Sequence, residues 1–396
     1  MPALEAAAIV ILALHAFVWF ARWERTCRRR LAATPLLESA AKSPPHPPSV
    51  NVFVPARNEE HAIERCVRSL LAQDHPALHV IVINDRSTDR TGEILERISD
   101  PRLTIIDTPP LPDGWMGKCH ALHCGVKAAP TESEFYLFTD ADVIFAPDTV
   151  RRAASHLARG KGDLLTLFPR VDCVGFWENA ILPLLSHLGF LTLDPKKITN
   201  PDTKDFIGIG AFGMIRRAMY ERWGGHAAIR NEVIDDMAMG LMTKSQRGRI
   251  LITRDFTAIH LRWYHGLSSI VRGFEKNMHQ AVGHGISGAI AAALFFPLAH
   301  AMPLMIAIGF LLLDPGAWYV WLSALLLHVE TGLKLVGRMR RAHSMNPLVV
   351  ALAYPAGAFL ASYIMLRSAY FAEIKGEIRW RGRSLPRGKQ RTRLVR

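Results

Sequence analysis

The segment HVIVINDRSTD, residues 79–89, decides the fold of this chain. Its first five residues are rich in β-branched apolar side chains and predict a buried strand, and polar residues follow at once. The segment VNVFVPARNEE, residues 50–60, has the same arrangement. Helical patterns come after each strand, at Glu59–Gln73 and Ser87–Ile98. Strands that alternate with helices predict a mainly parallel α/β sheet.

Two further strands extend this pattern, at Leu103–Ile106 and Phe135–Phe138. The second runs directly into Thr139-Asp140-Ala141-Asp142. In open α/β sheets, ligands bind outside the carboxyl ends of the strands. The polar residues that follow the strands are therefore the candidate binding residues.

The charge of the chain points to a membrane surface. Among 396 residues the formal net charge is +13, and the basic residues cluster at Arg22–Arg30, Lys334–Arg341 and Lys375–Arg396, beside apolar stretches. That placement fits the positive-inside rule. Zinc-finger, helix-turn-helix and RNA-binding patterns are missing from the sequence, so nucleic acid is not an expected partner. Five cysteines, an odd number, favour a reduced, cytosolic environment.

Apolar segments lie at both ends of the chain. Ala3–Phe20 is followed by arginines, which predicts a membrane anchor whose C-terminal end is cytoplasmic. Ile286–Leu313, Trp318–Val336 and Leu348–Phe371 are candidate spans. The basic loop and the basic tail both favour the cytoplasm, yet one crossing would separate them. Either the last segment is not a simple span or one basic segment lies outside, and we expect a cytoplasmic tail.

Acidic residues after the first two strands predict nucleoside contacts. Glu59 and Asp85 can accept hydrogen bonds from a base and from ribose hydroxyls. Residues of this kind also cap helices, and capping is the role we favour for Ser87 or Thr88.

Two acidic pairs predict a metal site and a base. A turn after the fourth strand can bring Asp140 and Asp142 toward one Mg²⁺ or Mn²⁺ ion, since hard cations prefer oxygen ligands. Asp235 and Asp236 are adjacent carboxylates. They fit either a general base near an acceptor hydroxyl or the acidic first turn of a helix.

A glycine-containing loop, Asp113–Lys118, ends in a cation that can reach a diphosphate. The next residues include two cysteines and two histidines between Cys119 and Cys124. On a helix the two possible ligand pairs would face different directions, so we expect helix packing there and not a zinc site.

Together these motifs resemble the family 2 glycosyltransferases, which have the GT-A nucleotide-sugar fold. The resemblance rests on Val54–Glu59, Asn84–Asp89, Asp140–Asp142 and Asp235–Asp236. Two further stretches are similar to the bacterial hopene-associated and carotenoid-associated subgroup: Gly114–Lys118 and Gly210–Arg217.

The resemblance implies roles for individual residues. Asp236 would be the catalytic base, beside Asp235, which stands where the family has Glu. Asp142 would hold the metal, with Asp140 supporting the metal or the ribose. The implied nucleotide-sugar contacts are Pro55, Arg57, Glu59, Asp85, Lys118, Asp140, Arg262 and Trp263.

The family's Gln-x-x-Arg-Trp motif is present only in part. Arg262 and Trp263 match it, but Ile259 stands where Gln would be. This departure favours transfer of a single sugar over a processive polysaccharide synthase. A non-enzymatic membrane subunit on a transferase fold is the other alternative. The presence of all four expected aspartates, Asp85, Asp140, Asp142 and Asp236, argues against it.

Two apolar segments predict a lipid-like acceptor, and the resemblance implies one of hopanoid, carotenoid or polyprenyl type. Phe176–Leu193 is unusually apolar for a loop, and Leu261–Met278 is amphipathic, as expected for an interfacial helix. Core packing is the alternative explanation for each.

We therefore expect an inverting enzyme on the inner membrane of a bacterium, multi-pass, with its catalytic domain in the cytoplasm. The predicted segments are an anchor (1–22), a basic Pro-rich linker (23–49), a GT-A domain (50–259), an interfacial helix (260–280), transmembrane helices (281–371) and a basic tail (372–396).

Overall fold

The computed structural model describes residues 2–19, 25–37, 47–130, 132–282, 285–380 and 383–386. Its strands are β1 (Val50–Ala56), β2 (Leu78–Asn84), β3 (Leu103–Asp107), β4 (Phe135–Phe138), β5 (Ile144–Phe145), β6 (Leu164–Leu167), β7 (Arg170–Asp172), β8 (Gly213–Arg216), β9 (Ile250–Thr253), β10 (Ile259–Leu261), β11 (His343–Ser344), β12 (Glu377–Trp380) and β13 (Arg383–Pro386).

The helices come from every part of the chain. They are α1 (Pro2–Phe17), α2 (Arg25–Ala33), α3 (Ile63–Leu71), α4 (Thr91–Glu96), α5 (Gly117–Ala128), α6 (Thr149–Arg159), α7 (Phe176–Thr192), α8 (Pro195–Thr199), α9 (Arg217–Arg222), α10 (Gly225–Ala228), α11 (Asp235–Ser245), α12 (Gly266–Val282), α13 (Gly285–His300), α14 (Met302–Leu313), α15 (Trp318–Met339) and α16 (Pro347–Ala369), which a π-helical turn extends to Ile374.

A seven-stranded sheet with the order β3-β2-β1-β4-β8-β6-β9 forms the centre of the domain. β1, β2, β3 and β4 pair in parallel, as the sequence predicts, while β8 runs antiparallel to both β4 and β6. The sheet is buried on both faces. Val52 and Val54 pack toward α3, whereas Phe53 and Ile83 pack toward α5. Continuous apolar strands are therefore expected here.

A second sheet, of order β11-β7-β10-β5, lies beside the first. Its edge strand β11 belongs to the C-terminal part of the chain, and His343 pairs with Val171 of β7. The apolar C-terminal helices are thus joined to the α/β half by backbone pairing.

Three sequence expectations need correction. α3 and α4 are shorter than predicted and begin several residues later. The segment expected to be a linker contains the helix α2. Phe176–Thr192 is not an apolar loop but the helix α7, whose Ile181 and Leu184 are fully buried in a core shared with α16. Core packing explains its apolar character, because this helix is covered by neighbours on several sides.

The N-terminal helix α1 has 16 residues and is shorter than the roughly 20 residues that a bilayer crossing needs. By length and composition, two described helices are sufficient: α15, and α16 with its extension to Ile374. The first predicted C-terminal span is instead the pair α13 and α14, bent by 62°. The sequence predicts transmembrane helices at both ends of the chain. Helices of sufficient length and apolar composition are found at the C-terminal end, whereas the N-terminal helix is short.

The break between α13 and α14 has a local cause. Pro303 lacks an amide hydrogen, so the carbonyl of Ala299, four residues earlier, loses its usual helical partner. The indole of Trp19 donates a hydrogen bond to that carbonyl at 2.7 Å. Trp19 is buried and stacks on His187 of α7, with ring centroids 5.6 Å apart. Trp19, at the end of the N-terminal helical segment, thus supplies the hydrogen bond that the carbonyl of Ala299 lacks at the helix break.

α1 and α15 run in the same direction. Ala8 packs near Val320, and Leu12 packs near Ala324 and Leu327. α16 is buried along most of its length. The amide of Asn346 donates to Asn179 at its start, and Arg367 donates to Glu275 of α12 at its end, at 2.7 Å. Both ends of α16 therefore contact helices that lie next to the α/β domain, α7 and α12.

Candidate active site

The loops after β1 and β2 hold each other in place. The amide of Asn58 donates to Ser87 Oγ at 3.1 Å, and Asn58 Oδ1 accepts the amide of Thr88 at 2.7 Å. Asn58 and Arg86 both have φ of 56°, which Asn tolerates better than most residues. Ser87 and Thr88 therefore bridge two loops and do not cap a helix. α4 begins later, at Thr91, whose amide donates to Asp89.

Asp85 is 3% exposed at the end of β2 and organises the cations around it. Its Oδ1 accepts hydrogen bonds from Arg86 Nη2 at 2.6 Å and from Thr108 Oγ1 at 3.0 Å. Arg57 Nη1 lies 3.8 Å from its Oδ2. Pro55, expected to end the first strand, lies within β1 and pairs in register with Ile83.

A cavity of about 680 Å³ opens beside this cluster. Its lining combines a cation and a hydroxyl with the rigid faces of prolines and an indole. The lining residues are Arg86, Thr108, Pro110, Leu111, Pro112, Asp113, Gly114 and Trp115. Pockets with flat apolar walls and a few polar groups suit a planar heterocycle such as a nucleobase.

Lys118 lies in the first turn of α5 and not in the loop before it. Its Nζ is 2.8 Å from Asp140 Oδ1 and 3.1 Å from Asp235 Oδ2. Burial alone would lower the pKa of Lys118, but Asp140, Asp235 and Asp236 together raise that pKa well above its usual value. The lysine is therefore a fixed cation that joins the two acidic motifs.

Asp142 lies within a group of carboxylates that repel one another. Burial and the neighbouring charges of Asp140 and Glu59 raise the pKa of Asp142 to about 7. The amide of Glu59 donates to Thr91 Oγ1 at 2.8 Å, and this hydrogen bond holds the loop after β1 in place. A divalent cation would relieve the repulsion between these carboxylates, so the residues fit a hard metal ion.

The described residues contain no group of three or more His, Cys, Asp or Glu side chains already arranged to hold a metal. A cation at Asp140 and Asp142 would thus take its other ligands from substrate phosphates or water, as Mg²⁺ commonly does. In the Cys119–Cys124 segment, Cys124 Sγ lies 3.5 Å from His120 Nε2, and His123 packs against Trp115.

Asp236 lies in the first turn of α11, close to Asp140. Its Oδ1 accepts the amide of Met237 at 2.8 Å. The position of Gly210 shows how near the carboxylates lie: a methyl group there would be 2.8 Å from Asp140 Oδ2 and 3.4 Å from Asp236 Oδ2. The Asp140–Asp142 and Asp235–Asp236 motifs therefore meet at the glycine-rich segment before β8.

We expect Gly210→Ala to lower kcat/KM by roughly 10- to 100-fold, because the added methyl displaces both carboxylates and small misplacements are costly. The thermal unfolding midpoint should change little. The measurements are initial rates and thermal unfolding in detergent. Gly189→Ala is the matched control, since its methyl would meet no atom within 4 Å. Full activity in Gly210→Ala would contradict the placement of these carboxylates.

Arg262 lies in an ion pair that the sequence did not predict. Its Nη2 donates to Glu178 Oε1 at 2.9 Å, and Glu178 is fully buried at the start of α7. Burial disfavours the charge of Glu178, but hydrogen bonds from Arg262 and from backbone amides outweigh it and lower the pKa of Glu178 to about 2. Trp263, expected near the sugar, is 46% exposed and stacks on Tyr264 at 5.4 Å.

We expect Glu178→Gln to lower the free energy of unfolding by about 1–3 kcal/mol, since it removes charged hydrogen bonds. The folded-state pKa lies below the ordinary 4.5, so this contribution is present above about pH 4.5 and is lost as pH falls toward 2. Unfolding midpoints across pH test this. Glu64→Gln, in an exposed pair with Arg68, should change little. Equal midpoints for both variants would contradict the prediction.

The comparisons with known proteins agree with this geometry. Residues 51–224 match the family model Glycosyl transferase family 2. A 4,4'-diaponeurosporenoate glycosyltransferase of Staphylococcus aureus (strain USA300) is 30% identical over 66% of this chain and 70% of the relative. This chain belongs to glycosyltransferase family 2. The homologue from strain MRSA252 is 27% identical and spans 85% of this chain and 88% of the relative.

The fold of this family 2 glycosyltransferase is also found in a solved structure. The mannosyltransferase PcManGT from Pyrobaculum calidifontis, in complex with GDP-Man and Mn²⁺, aligns over 94% of this chain and 99% of its own, with a TM-score of 0.51 and 21% identity. This likeness confirms the GT-A fold. The enzyme is a glycosyltransferase, so the alternative of a non-enzymatic subunit is set aside.

Three residues of the candidate site in this family 2 glycosyltransferase were not singled out from sequence. Arg86 and Thr108 hold Asp85, and Trp115 lines the neighbouring cavity. Arg86 lies within the second motif and could have been singled out there. Thr108 carries no signal in the sequence, because only the pairing of β2 with β3 brings it to Asp85.

Proposed function

We propose that this enzyme transfers a single sugar from a nucleotide-sugar donor to a lipid-like acceptor at the cytoplasmic membrane face, by an inverting, metal-dependent reaction. One observation carries the proposal. Asp140, Asp142, Asp235 and Asp236 converge around Lys118 at the strand ends, beside a cavity suited to a nucleobase. A donor placed across these features would extend from its base at Asp85 to its diphosphate near Lys118.

In the proposed reaction Asp236 takes the proton from an acceptor hydroxyl. The acceptor oxygen attacks the anomeric carbon from the face opposite the leaving group, and the bond from that carbon to the diphosphate oxygen breaks. The diphosphate leaves with the electron pair, and the configuration is inverted. Lys118 is held by Asp140 and Asp235 where it can offset the developing negative charge.

Asp142, supported by Asp140, would hold Mg²⁺ or Mn²⁺. When bound, such an ion supplies Lewis-acid neutralisation of the leaving diphosphate. The support is the elevated pKa of Asp142, which marks a site where negative charges are crowded. The structural relative PcManGT was solved with Mn²⁺ and GDP-Man.

The acceptor patch, defined by Val174, Phe176, Trp263 and Leu267, supports an apolar acceptor. Each of the four side chains is at least 39% exposed. Glu178 holds the patch together, because it accepts the amides of Val174 and Gly266 as well as Arg262. Burial, and to a smaller extent the charge of Asp142, raises the pKa of Tyr264, which stacks on Trp263 of the patch. An apolar acceptor on the patch would thus lie close to the carboxylates. The relatives are named for a carotenoid-type acceptor, 4,4'-diaponeurosporenoate.

For the membrane, we propose that the bent pair α13 and α14, and α15, cross the bilayer of a bacterial inner membrane, and that the shorter α1 enters it beside α15. The parallel packing of α1 and α15 places their basic C-terminal flanks on one side. α16, with both ends against the catalytic half, would not cross. The basic loop and the basic tail then both face the cytoplasm, together with the catalytic domain.

Single-sugar transfer is favoured over processive synthesis. Ile259, at the position of the family's Gln, is 1% exposed and lies in β10 within the core. That position cannot present a side chain to a growing polymer.

The test is a release assay on purified full-length protein in detergent. Mg²⁺ or Mn²⁺, a panel of UDP- and GDP-sugars, and apolar acceptors bearing hydroxyl or carboxyl groups are supplied, and free nucleoside diphosphate is measured. We expect acceptor-dependent release from one donor, with one sugar added per acceptor by mass spectrometry. Polymer products would overturn the single-transfer proposal, and release without any acceptor dependence would overturn the proposed acceptor class.

A further inference from the structure

A second cavity, of about 690 Å³, shares no lining residue with the catalytic cluster and is not used by the proposed reaction. It forms where α2, the residue after β9 and the C-terminal half of α15 meet. We call it the basic pocket and define it by its lining: Arg28, Leu31, Ala32, Arg254, Glu330, Leu333, Lys334, Gly337 and Arg338.

The charge of the basic pocket is strongly asymmetric. Four of its nine described lining residues are cations, and the acidic one is Glu330. Glu330 Oε1 lies 2.7 Å from Lys334 Nζ, one turn along the same helix. An interior surface of this kind favours an anion with several acceptor oxygens, since Arg and Lys bind phosphate through charge-assisted hydrogen bonds.

Basic residues in the last turn of a helix commonly offset the helix dipole. That explanation covers Arg338 of α15 but not the rest of the basic pocket. Arg28 comes from α2, and Arg254 comes from a segment more than 200 residues further along the chain. The backbone fixes Arg254, because its amide donates to Pro35 and its Nε donates to Thr34 at 2.9 Å. Three separate segments of the chain therefore bring cations to the basic pocket.

The surroundings of the basic pocket select a lipid. Leu333 lines it and is 56% exposed, and Leu326, two turns earlier on the same face of α15, is 61% exposed. A phosphate in the pocket would thus have an apolar track leading away from it along a candidate membrane span. Basic pockets between helices on the cytoplasmic side bind lipid head groups in the same way.

We propose that the basic pocket binds the phosphate of an anionic phospholipid, with an acyl chain lying along Leu326 and Leu333. The lipid would fill the space between the helix α2 and the end of α15. It would thereby stabilise the position of the catalytic domain on the bilayer.

The test uses detergent-solubilised full-length protein titrated with phosphatidylglycerol or with phosphatidylcholine of identical acyl chains, followed by native mass spectrometry. We expect preferential retention of phosphatidylglycerol. The double variant Arg28→Gln with Lys334→Gln should weaken that retention by roughly tenfold or more. Arg340→Gln with Arg341→Gln is the matched control. It removes the same charge from the same end of α15, at exposed residues outside the pocket.

Equal retention of the two lipids would overturn the proposal, because phosphatidylcholine carries no net negative charge. An equal loss in both double variants would overturn it in favour of diffuse surface attraction. Inorganic phosphate serves as a third ligand. If inorganic phosphate binds as tightly as phosphatidylglycerol and its binding is weakened by the same double variant, the pocket binds a soluble phosphate and the lipid proposal is rejected. Arg28→Lys with Lys334→Arg keeps the charge and should keep retention, which separates loss of binding from loss of folding.

Discussion

Asp142→Ala is expected to lose Mn²⁺-dependent binding of the donor, by about a hundredfold or more in affinity. Asp142 is the carboxylate whose charge burial and its neighbours disfavour most clearly, so it has the greatest gain from a bound cation. Removing it eliminates that gain and leaves only the contacts near Asp85 to hold the nucleoside. Isothermal titration of the donor identified by the release assay, with and without Mn²⁺, measures the effect.

The control for this variant is Asp202→Asn, which removes one exposed carboxylate outside the described motifs. It should bind donor and metal like the unmodified enzyme. Because the pKa of Asp142 is raised to about 7, its proton must leave before a cation binds, so Mn²⁺ affinity should rise between about pH 6 and pH 8. Equal donor affinity with and without Mn²⁺ in both the unmodified enzyme and Asp142→Ala would remove the metal from the mechanism.

Asp236→Asn should slow transfer by about 10²- to 10⁴-fold while donor affinity stays within about twofold. The amide keeps the size of the carboxylate and its contact with the amide of Met237, so the start of α11 is preserved. What is lost is the ability to accept a proton from the acceptor. Single-turnover rates and donor titrations separate the two effects.

Two comparisons sharpen the test of Asp236. An acceptor that offers an ionised carboxylate needs no base, so Asp236→Asn should lose least with such an acceptor. Asp235→Asn should act differently, because Asp235 lies against Lys118 and its loss would weaken the cation that faces the diphosphate. Normal turnover in Asp236→Asn would show that the base lies elsewhere, with Asp235 as the first candidate.

The central strands were predictable from sequence because parallel strands buried on both faces are nearly continuous apolar runs. Helix starts were less predictable. The polar residues after β2 pair across to Asn58, so the chain makes an extra turn before α4 begins. Composition also could not separate α7 from a membrane-facing segment, since a helix covered on several sides and one in lipid have similar sequences.

The site residues were predictable one by one but not in their partnerships. Lys118 meets Asp235, which is more than 100 residues away along the chain. Arg262 is paired with Glu178, a residue that no motif contains. Such pairs form only when helices and strands that are distant in sequence approach one another in the fold. The spacing of residues along the chain does not predict these approaches.

The hydrogen bond from Trp19 to the carbonyl of Ala299 means that the N-terminal segment is not an exchangeable module. In the proposed membrane placement, a foreign hydrophobic helix grafted in its place would still hold the enzyme at the bilayer. It would leave a hole the size of an indole beside His187 and a peptide oxygen without its donor in an apolar setting. A replacement N-terminal segment must therefore keep a tryptophan at this position. Otherwise Pro303 must also be replaced by a residue whose amide can donate to the carbonyl of Ala299.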